Sequence, residues 1–334
     1  MTIVGAIALL LGLLVTGLVL GVVWASRGSY PRNRYAEIRP FPTPRPEEAP
    51  AVNEAGDEFT VITYNLGYLS GLTNNEPVVR SPALFQENLA LAIAALRAVS
   101  PDLLALQEVD LQARRSGNVD QVAALAAGLE LPGGAIAVNW DKNYLPFPFG
   151  PPAVHFGRLV SGQAVLTRGA IARQERLVLE AVATQNSIYR AFYISRVAQI
   201  VELTLQGRDL VLINVHLEAF DAPTRRRQTE VVRQLLDRYA GRPLLLAGDF
   251  NSPLPSPAEP EATTAILLQD PRLEAVLAIP EARTYPSDQP EAKLDYIFYT
   301  PTWFERLEAR VVTAAGTASD HLPLLARLRW RAAV

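Results

Sequence analysis

Acidic, amide and imidazole side chains stand at one end of each of six apolar segments of this sequence. These side chains belong to Asn65, Glu108, His216, Asp249 with Asn251, Asp295, and Asp320 with His321. A charged group at the end of a core strand is costly to bury unless a cation or a polar partner receives it. Two of the three histidines of the chain belong to this set. The simplest explanation is one shared pocket.

This set of residue types favours metal-assisted attack of water on phosphorus. Carboxylate and amide oxygens, with no cysteine and few histidines, are ligands for Mg²⁺, or for Mn²⁺ in its place, in preference to zinc. A bound ion neutralises phosphate charge, and an aspartate paired with a histidine can move a proton near neutral pH. Each residue alone also fits an ordinary role: Glu108 as surface, His216 as a structural donor, Asp295 as a turn cap. The prediction therefore rests on the whole set.

Apolar periodicity predicts alternating strands and helices behind these polar residues. Strands are predicted at residues 59–64, 103–107, 163–167, 197–205, 210–216, 243–247, 294–299, 310–313 and 322–328. Helices are predicted to follow the Ser81-Pro82 cap and to occupy residues 119–129, 223–239 and 263–268. Mixed βα units with consecutive strand pairs are typical of stacked sheets with helices on the outside.

Six short motifs in a fixed order resemble the endonuclease/exonuclease/phosphatase superfamily. They are Thr63-Tyr64-Asn65, Leu106-Gln107-Glu108, Asn214-Val215-His216-Leu217-Glu218, Gly248-Asp249-Phe250-Asn251-Ser252, Leu294-Asp295-Tyr296-Ile297 and Ser319-Asp320-His321-Leu322-Pro323. The resemblance covers about residues 59–331 and implies an α/β fold, a four-layer α/β/β/α sandwich of two stacked mixed sheets. Residues 161–168 and the Asn-Val-His-Leu-Glu form of the histidine motif are more similar to the sphingomyelinase-like branch than to the DNA-repair branch.

The resemblance also implies roles for the set. The implied Mg²⁺ ligands are Glu108, Asn65 and Asp320. The implied catalytic residues are Asp249, His321, Asp295 and His216. The implied phosphate-binding residues are Asn251, His216 and Asn65. Asp249 would orient or deprotonate the attacking water, and Asp295 would pair with His321, which acts either as base or as phosphate donor.

Family members also carry an active-site tyrosine or arginine between the glutamate and histidine motifs. This chain has no clear counterpart, and the candidates are Tyr144, His155 and Arg190. The aromatic and proline-rich segment 144–152 is expected near the substrate mouth, either in contact with a lipid or a base or as a rigid packed loop.

The first 26 residues carry no charged side chain, and residues 3–25 are almost wholly aliphatic. At 1.5 Å per residue a helix of this length spans about 34 Å, which crosses a hydrocarbon core of about 30 Å. We therefore predict a single transmembrane anchor at residues 1–26 that contacts the bilayer through residues 3–25. A cleaved signal peptide ending at Val23-Trp24-Ala25 is the alternative, but the apolar run is long for one and no positive residue precedes it.

Arginines follow this helix and none precedes it, so the positive-inside rule favours the cytoplasmic face of the cell membrane for the rest of the chain. Residues 27–58 are rich in proline and arginine and are predicted as an extended spacer that does not itself fold and that holds the domain off the bilayer. Residues 59–334 are predicted as one catalytic domain. No protein partner is evident.

Composition narrows the function further. A net charge of −3 and a pI near 5.8 argue against a whole-surface electrostatic grip on nucleic acid, although a local basic groove stays open. The absence of cysteine excludes disulfides, thiolate metal sites and cysteine nucleophiles. The favoured function is a membrane-anchored, Mg²⁺-dependent phosphoesterase that hydrolyses a phosphodiester, with a phospholipid or related head group as substrate. The alternatives are an envelope-tethered nuclease and a catalytically silent binding module on the same fold.

Overall fold

The computed structural model describes residues 2–42, 56–257, 259 and 262–332. It begins with a long apolar helix, α1 (Ile3–Ser26), whose first turn is capped by the Thr2 hydroxyl, which accepts the N–H of Gly5 at 3.3 Å. None of its residues is buried, and its mean hydropathy reaches 2.8. Within the described residues, α1 is the one helix long and apolar enough to cross a membrane.

Strands and shorter helices alternate through the remainder of the described chain. The strands are β1 (Ala36–Pro40), β2 (Glu58–Asn65), β3 (Leu103–Ala113), β4 (Gly133–Leu145), β5 (Gly157–Thr167), β6 (Ala170–Val178), β7 (Val197–Leu205), β8 (Arg208–His216), β9 (Leu244–Asp249), β10 (Glu274–Ala275), β11 (Asp295–Tyr299), β12 (Phe304–Val311) and β13 (Leu324–Trp330). The helices are α2 (Pro82–Arg97), α3 (Gln121–Leu129), α4 (Ser187–Phe192), α5 (Ala222–Arg238) and α6 (Ala265–Leu268).

These strands form two mixed sheets. The first sheet has the order β1-β4-β5-β3-β2-β13-β12, and the second has the order β10-β11-β9-β8-β7-β6. Strand β2 runs parallel to β3 in the first sheet, and β8 runs parallel to β9 in the second. The other described pairs are antiparallel.

The helices begin where the sequence supplies a cap. The Ser81 hydroxyl accepts the N–H of Leu84 at 3.3 Å, just before Pro82 opens α2. The Asp221 carboxylate accepts the N–H of Thr224 at 2.8 Å at the start of α5. Each cap satisfies a backbone donor that the first turn of a helix leaves free.

The two sheets pack face to face, and helices cover both outer surfaces. Apolar side chains of β2, β3, β7, β8 and β9 fill the space between the sheets. Helices α2 and α3 pack on the outer face of the first sheet, and α5 and α6 pack on that of the second. The structure therefore confirms the predicted four-layer α/β/β/α sandwich.

The predicted spacer differs from the structure in its first part. Residues 36–40 form β1, which pairs with β4, and Tyr30 is buried. Without β1, strand β4 would expose a row of unpaired N–H and C=O groups at the sheet edge. The folded unit thus includes residues that the sequence analysis places in the spacer. Residues 43–55 of the predicted spacer lie outside the described residues.

The end of α1 is joined directly to β4. Nζ of Lys142 donates to the carbonyl oxygen of Ser26 at 3.0 Å, and Nδ2 of Asn143 donates to that of Trp24 at 3.1 Å. The backbone N–H of Asn143 donates to the carbonyl oxygen of Arg27 at 2.7 Å. Polar groups of β4 therefore hold the end of the helix in place, at the position where the sequence analysis expects a spacer to begin.

Strand register brings the polar residues to one end of the sandwich. His216 lies beside Asp249 in the parallel pair β8–β9, and Asp295 lies opposite Asp249 in the antiparallel pair β9–β11. Asn65 ends β2 beside Gln107 of β3, so Glu108 is the next residue along that strand. Each parallel pair therefore delivers two of the predicted site residues to the same edge.

Candidate active site

An aspartate–histidine pair lies at the end of the second sheet. Nδ1 of His321 is 2.9 Å from Oδ2 of Asp295, and both residues are buried. Nε2 of His321 lies 3.8 Å from Oδ2 of Asp249. Because Asp295 holds Nδ1, Nε2 is the nitrogen that His321 presents to the other site residues.

Asp249 lies at the centre of the site. Its Oδ2 accepts from Nδ2 of Asn65 at 2.9 Å, and its Oδ1 accepts from the backbone N–H of Asn251 at 2.9 Å. Nε2 of His216 lies 3.6 Å from Oδ2 of Asp249 and 3.8 Å from Oε1 of Glu108. Groups from both sheets therefore converge on one carboxylate.

Glu108 and Asp320 form a second acidic group beside Asp249. Nδ2 of Asn74 donates to Oε2 of Glu108 at 3.0 Å and lies 3.3 Å from Oδ2 of Asp320. Glu108 has a φ of +50°, at a break in the β3–β5 register between Leu106 and Val109. Such a bulge re-aims a side chain out of the regular alternation of a strand. It accounts for a glutamate that faces the site from within an otherwise buried strand.

Two glycines of the site lie where other atoms come too close to leave room for a Cβ atom. Gly67 has a φ of +51°, and a Cβ there would meet the side chains of Asp320 and Ser319. A Cβ at Gly248, directly before Asp249, would meet the backbone of Val215 in the neighbouring parallel strand. Neither position therefore accepts a side chain without displacing part of the site.

Burial raises the pKa of both central carboxyl groups. Burial first, and the negative charge of Asp320 second, raise the pKa of Glu108 to about 7. Burial also raises the pKa of Asp249 to about 6, although the positive charge on His321 opposes that increase. Both carboxylates therefore lack sufficient positive charge around them.

The two histidines differ in charge. Burial, with the positive charges of Arg196 and His321, lowers the pKa of His216 well below its ordinary value, so His216 is neutral at pH 7. Burial also opposes protonation of His321, but Asp295 and Asp249 outweigh it and raise the pKa of His321 to about 10. At pH 7 His321 is a cation, and its Nε2 carries a proton.

The group around Glu108 and Asp320 fits a hard divalent cation. The neutral amide of Asn74 lies between the two carboxylates, and its Oδ1 is buried with no hydrogen-bond partner among the described residues. Oxygen ligands of this kind suit Mg²⁺ or Mn²⁺. Asp249 and the aspartate–histidine pair also place ligand atoms within 4.8 Å of one another. That second cluster is less suited, because the pair already shares a hydrogen bond.

Residues 62–321 match the endonuclease/exonuclease/phosphatase family. The chain belongs to this family. Its members are generally hydrolases that act on phosphoesters, and they typically use divalent metal ions. The resemblance seen in the sequence is thus confirmed at the level of the family.

Solved structures of the endonuclease/exonuclease/phosphatase fold are similar to this chain. A member from Beutenbergia cavernae DSM 12333 is 21% identical, with a TM-score of 0.59 over 82% of this chain and 72% of that one. The human Nocturnin catalytic domain is 19% identical, with a TM-score of 0.58 over 90% of this chain and 100% of that one. A mannosyl-6-phosphatase from Bacteroides thetaiotaomicron is 15% identical, with a TM-score of 0.57 over 81% and 99%.

At these identities the likeness extends to the fold alone. No curated protein matches the chain significantly. Assignment to the sphingomyelinase-like branch stays a prediction.

Most of the predicted site residues line one cleft of this family member. They are Asn65, Glu108, His216, Asp249, Asn251, Asp320 and His321. Asp295 lies behind His321, to which it is hydrogen-bonded. Nδ2 of Asn251 donates one of its two N–H groups to the carbonyl oxygen of Leu217 at 2.9 Å.

The structure does not bring the three candidates for the family's tyrosine or arginine to the cleft. Tyr144, His155 and Arg190 are not among the residues that line the cleft. The hydroxyl of Tyr144 is 2.7 Å from Nδ1 of His155, so these two side chains satisfy each other. Arg190 is exposed on α4.

Arg196 is a cleft residue that the sequence analysis missed. Its side chain is buried, and its Nε and Nη1 have no hydrogen-bond partner among the described residues. The nearest carboxylate, Glu218, lies 3.6 Å from Nε. Although burial opposes it, the neighbouring Tyr193 and Glu218 raise the pKa of Arg196 above its ordinary value. Arg196 stands directly before the apolar strand β7, so the signal used for the other site residues applied to it as well.

Tyr68 is a second cleft residue that the analysis missed. Its ring lies 3.4 Å from the guanidinium carbon of Arg115, which pairs with Asp110 at 2.7 Å. Burial, with the negative charge of Glu108, raises the pKa of Tyr68 well above its ordinary value. Tyr68 therefore offers a neutral hydroxyl group at the cleft, held by a stacked arginine.

The cleft has a volume of about 720 Å³ and two different walls. The polar wall carries the site described above. The apolar wall is built by the end of β4 and the loop after it, by α4 and the residues that follow, and by the loop after β8. Its side chains include Trp140, Phe147, Phe149, Ile188, Tyr193 and Phe220. Segment 144–152 therefore does lie at the cleft.

Proposed function

We propose that this chain is a membrane-anchored, divalent-metal-dependent phosphodiesterase that hydrolyses a phospholipid or a related head group. The observation that carries the proposal is the cleft, which has acidic, amide and imidazole side chains on one wall and a large apolar surface on the other. A phosphodiester has two organic substituents, and the apolar wall would receive one of them. Helix α1 supports a lipid as the substrate, because a membrane tether raises the effective concentration of membrane substrates.

Glu108, Asp320 and Asn65 would hold Mg²⁺, or Mn²⁺ in its place. When bound, the ion supplies positive charge that offsets the charge of the phosphate and of the transition state. The raised pKa of Glu108 supports this assignment, because a nearby cation is what its buried carboxylate lacks.

Asp249 acts on the attacking water. It is ionised at neutral pH, since its pKa is about 6, and hydrogen bonds from Asn65 and Asn251 fix its two oxygens. A carboxylate held in this way can orient a water molecule and accept its proton as the water oxygen bonds to phosphorus. The bond from phosphorus to the leaving oxygen then breaks.

The nitrogen-bearing side chains of the site face the phosphate oxygens. His321 is protonated at neutral pH, so it serves as a hydrogen-bond donor through Nε2 and not as the base. Arg196 contributes N–H groups with no partner among the described residues. Neutral His216, with its Nε2 3.6 Å from Oδ2 of Asp249, completes this side of the site. Donors placed in this way stabilise the negative charge that grows on the phosphate in the transition state.

A nuclease is the second candidate. The aromatic side chains of the apolar wall would stack on bases as well as on lipid. A pI near 5.8 weighs against it, because nucleic-acid binding usually relies on a strongly basic surface. A silent binding module is disfavoured, because a chain without activity would be free to lose Glu108, Asp249 or His321, and all three are present.

The test uses the full chain in proteoliposomes, with Mg²⁺ or with EDTA. The panel contains sphingomyelin, glycerophospholipids, single-stranded and double-stranded DNA, and inositol phosphates. We expect metal-dependent product release from one class of lipid. Asp249→Asn should lower this turnover about 100-fold or more, because it removes the group that accepts the proton.

The matched control is Asp209→Asn, an exposed aspartate at the opposite end of β8. It should retain the turnover of the unmodified chain. DNA cleavage with untouched lipid would favour the nuclease in place of the phospholipase. A folded chain that acts on nothing in the panel would contradict both.

A further inference from the structure

Four large apolar side chains stand exposed at the rim of the cleft, and we call them the lip. They are Phe149, Ile188, Tyr189 and Phe220, with 74%, 66%, 45% and 86% of their surface exposed. They come from the loop after β4, from α4 and from the loop after β8, so the fold gathers them from distant parts of the chain. Apolar groups gathered in this way on a protein surface mark a site of interaction.

The segments that carry the lip are held firmly by buried groups. Oε1 of Glu218 accepts from the hydroxyl of Tyr193 at 2.9 Å and from the backbone N–H of Phe220 at 3.1 Å. Nε1 of Trp140 donates to the carbonyl oxygen of Phe192 at 2.8 Å. These bonds fix the backbone at Phe220 and at the end of α4, the two segments that carry Phe220, Ile188 and Tyr189.

Lys142 connects the lip to the end of α1. Its Nζ donates to the carbonyl oxygen of Ser26 at 3.0 Å and to that of Ala191 in α4 at 2.6 Å. The last turns of α1 and α4 thus meet at one ammonium group. Ile188 lies three residues before Ala191, about 4.5 Å along a helix axis. This distance is within the depth of the lipid head-group layer, which is about 5–7 Å on each face of a bilayer.

We propose that the lip is a second membrane contact, which enters the head-group layer of the bilayer that α1 spans and turns the cleft mouth toward the lipid. The bilayer is the occupant because a spanning helix ends at the membrane surface, and here that end is fixed to β4 and α4. Arg190, exposed on α4 beside Tyr189, then lies among lipid phosphates. The inference rests on the proposed function for two statements, that α1 spans a bilayer and that the cleft acts on the lipid it faces.

The experiment exploits the absence of cysteine from the chain. Phe149→Cys, Ile188→Cys and Phe220→Cys are made singly in the full-length chain with Asp249→Asn, labelled with the environment-sensitive fluorophore NBD and reconstituted in phosphatidylcholine–phosphatidylglycerol vesicles. The control label replaces Ile279, an apolar side chain of 46% exposure that does not line the cleft. Lipids with a nitroxide at a shallow acyl position serve as quenchers.

We expect NBD emission at the three lip positions to shift to the blue and to be quenched several-fold more strongly than NBD at position 279. Equal quenching at all four positions would overturn the inference. The Asp249→Asn background separates this result from catalysis. If NBD at the lip is quenched but the active parent chain hydrolyses no lipid, the inference is supported and the proposed substrate is excluded. If the active chain hydrolyses lipid but NBD at the lip is not quenched, the proposed substrate is supported and the inference is overturned.

A kinetic arm uses the active chain. Replacing Phe149 and Phe220 by serine should lower several-fold the ratio of turnover on bilayer lipid to turnover on a water-soluble phosphodiester. Ile279→Ser should leave that ratio unchanged. An unchanged ratio in the lip variant would count against the inference.

Discussion

At single residues of the site, burial and neighbouring carboxylates both disfavour the ionised form of a carboxyl group. Glu108 lies beside Asp320, and Asp249 lies beside Asp295, with little solvent to separate the charges. His321 compensates part of this charge through its pair with Asp295. In the proposed function a divalent ion would compensate the remaining charge at Glu108, and that charge would then serve function at the expense of stability.

Glu108→Gln should therefore stabilise the protein when metal is removed. The folded-state pKa of Glu108 is about 7, above its ordinary value of 4.5, so the folded state binds its proton more tightly. The resulting stability is fully present below about pH 4.5 and is lost as the pH rises through about 7. In EDTA at pH 8 the variant should unfold with a free energy about 1–3 kcal/mol larger than that of the parent chain.

Denaturant titrations at pH 4 and pH 8 check this prediction. The difference between variant and parent should disappear at pH 4. Glu76→Gln is the control, because Glu76 is exposed, and it should have no effect at either pH. A variant less stable than the parent at pH 8 would mean that Glu108 contributes a favourable interaction in the folded state.

Asp295→Asn should move the pH dependence of turnover to lower pH. Turnover needs ionised Asp249 and protonated His321, which predicts an acid limb near pH 6 and an alkaline limb near pH 10. The charge of Asp295 raises both pKa values, so its removal should lower both limbs as well as the maximum rate. The measurement is kcat/KM against pH with a soluble phosphodiester. An unmoved alkaline limb would exclude His321 as the titrating group.

At the scale of elements, apolar runs predicted most strands of the sheet interiors, but they missed the edge strand β6 and the interior strand β4. Strand β6 is an edge of the second sheet, and its charged side chains, such as Arg173 and Glu175, hide its strand pattern. Strand β4 contains Asn139, Asp141 and Lys142 and was also missed. Asp141 and Lys142 hold the end of α1 and the segment after it through contacts between residues more than 100 positions apart, which local periodicity cannot report.

The site residues divide in a similar way, into those at the ends of regular strands, which the sequence predicted, and those in irregular segments, which it did not. Residues at the ends of predicted core strands could be named from the sequence, because the ends of paired strands meet at one edge. Tyr68 and Asn74 could not, because they lie in the irregular segment between β2 and α2 and reach the cleft through tertiary packing. Arg196 follows the strand-end rule and lies between the Glu108 and His216 motifs, where the resemblance implies a tyrosine or arginine, but Tyr144, His155 and Arg190 were chosen as the candidates instead.

Gly248→Ala tests how closely the parallel pair β8–β9 must pack. The added methyl group would meet the backbone of Val215, which cannot rotate away as a side chain can. We expect a loss of at least about 3 kcal/mol in the free energy of unfolding. Gly207→Ala, with a φ of +73° in open space, carries the conformational cost alone and should lose about 1–2 kcal/mol. Denaturant unfolding compares them, and equal losses would contradict the packing argument.

At the scale of the whole molecule, the join between α1 and β4 fixes the orientation of the domain relative to α1. The backbone N–H of Tyr30 donates to Oδ2 of Asp141 at 2.8 Å, and the hydroxyl of Tyr35 donates to the same oxygen at 2.9 Å. With Lys142 and Asn143 these bonds fix the chain on both sides of Gly28. A tether alone would only raise the local concentration of lipid, whereas a fixed join also orients the cleft.

An insertion separates these two effects. Ten Gly/Ser residues placed between Gly28 and Ser29 would let the domain move about 17 Å from the helix end, more than the depth of the head-group layer. Tethering would persist and orientation would be lost. Turnover of bilayer lipid should therefore fall several-fold, while turnover of a soluble phosphodiester should stay at the level of the parent chain.

The same ten residues inserted at Gly207, in the turn between β7 and β8, provide the matched control, because Gly207 is exposed and does not line the cleft. This control should retain both activities. Parallel rates on lipid vesicles and on the soluble diester decide the question. If the chain with the insertion after Gly28 hydrolyses bilayer lipid as fast as the parent, α1 acts as a simple tether, and the contacts of Lys142 and Asn143 serve only to stabilise the fold.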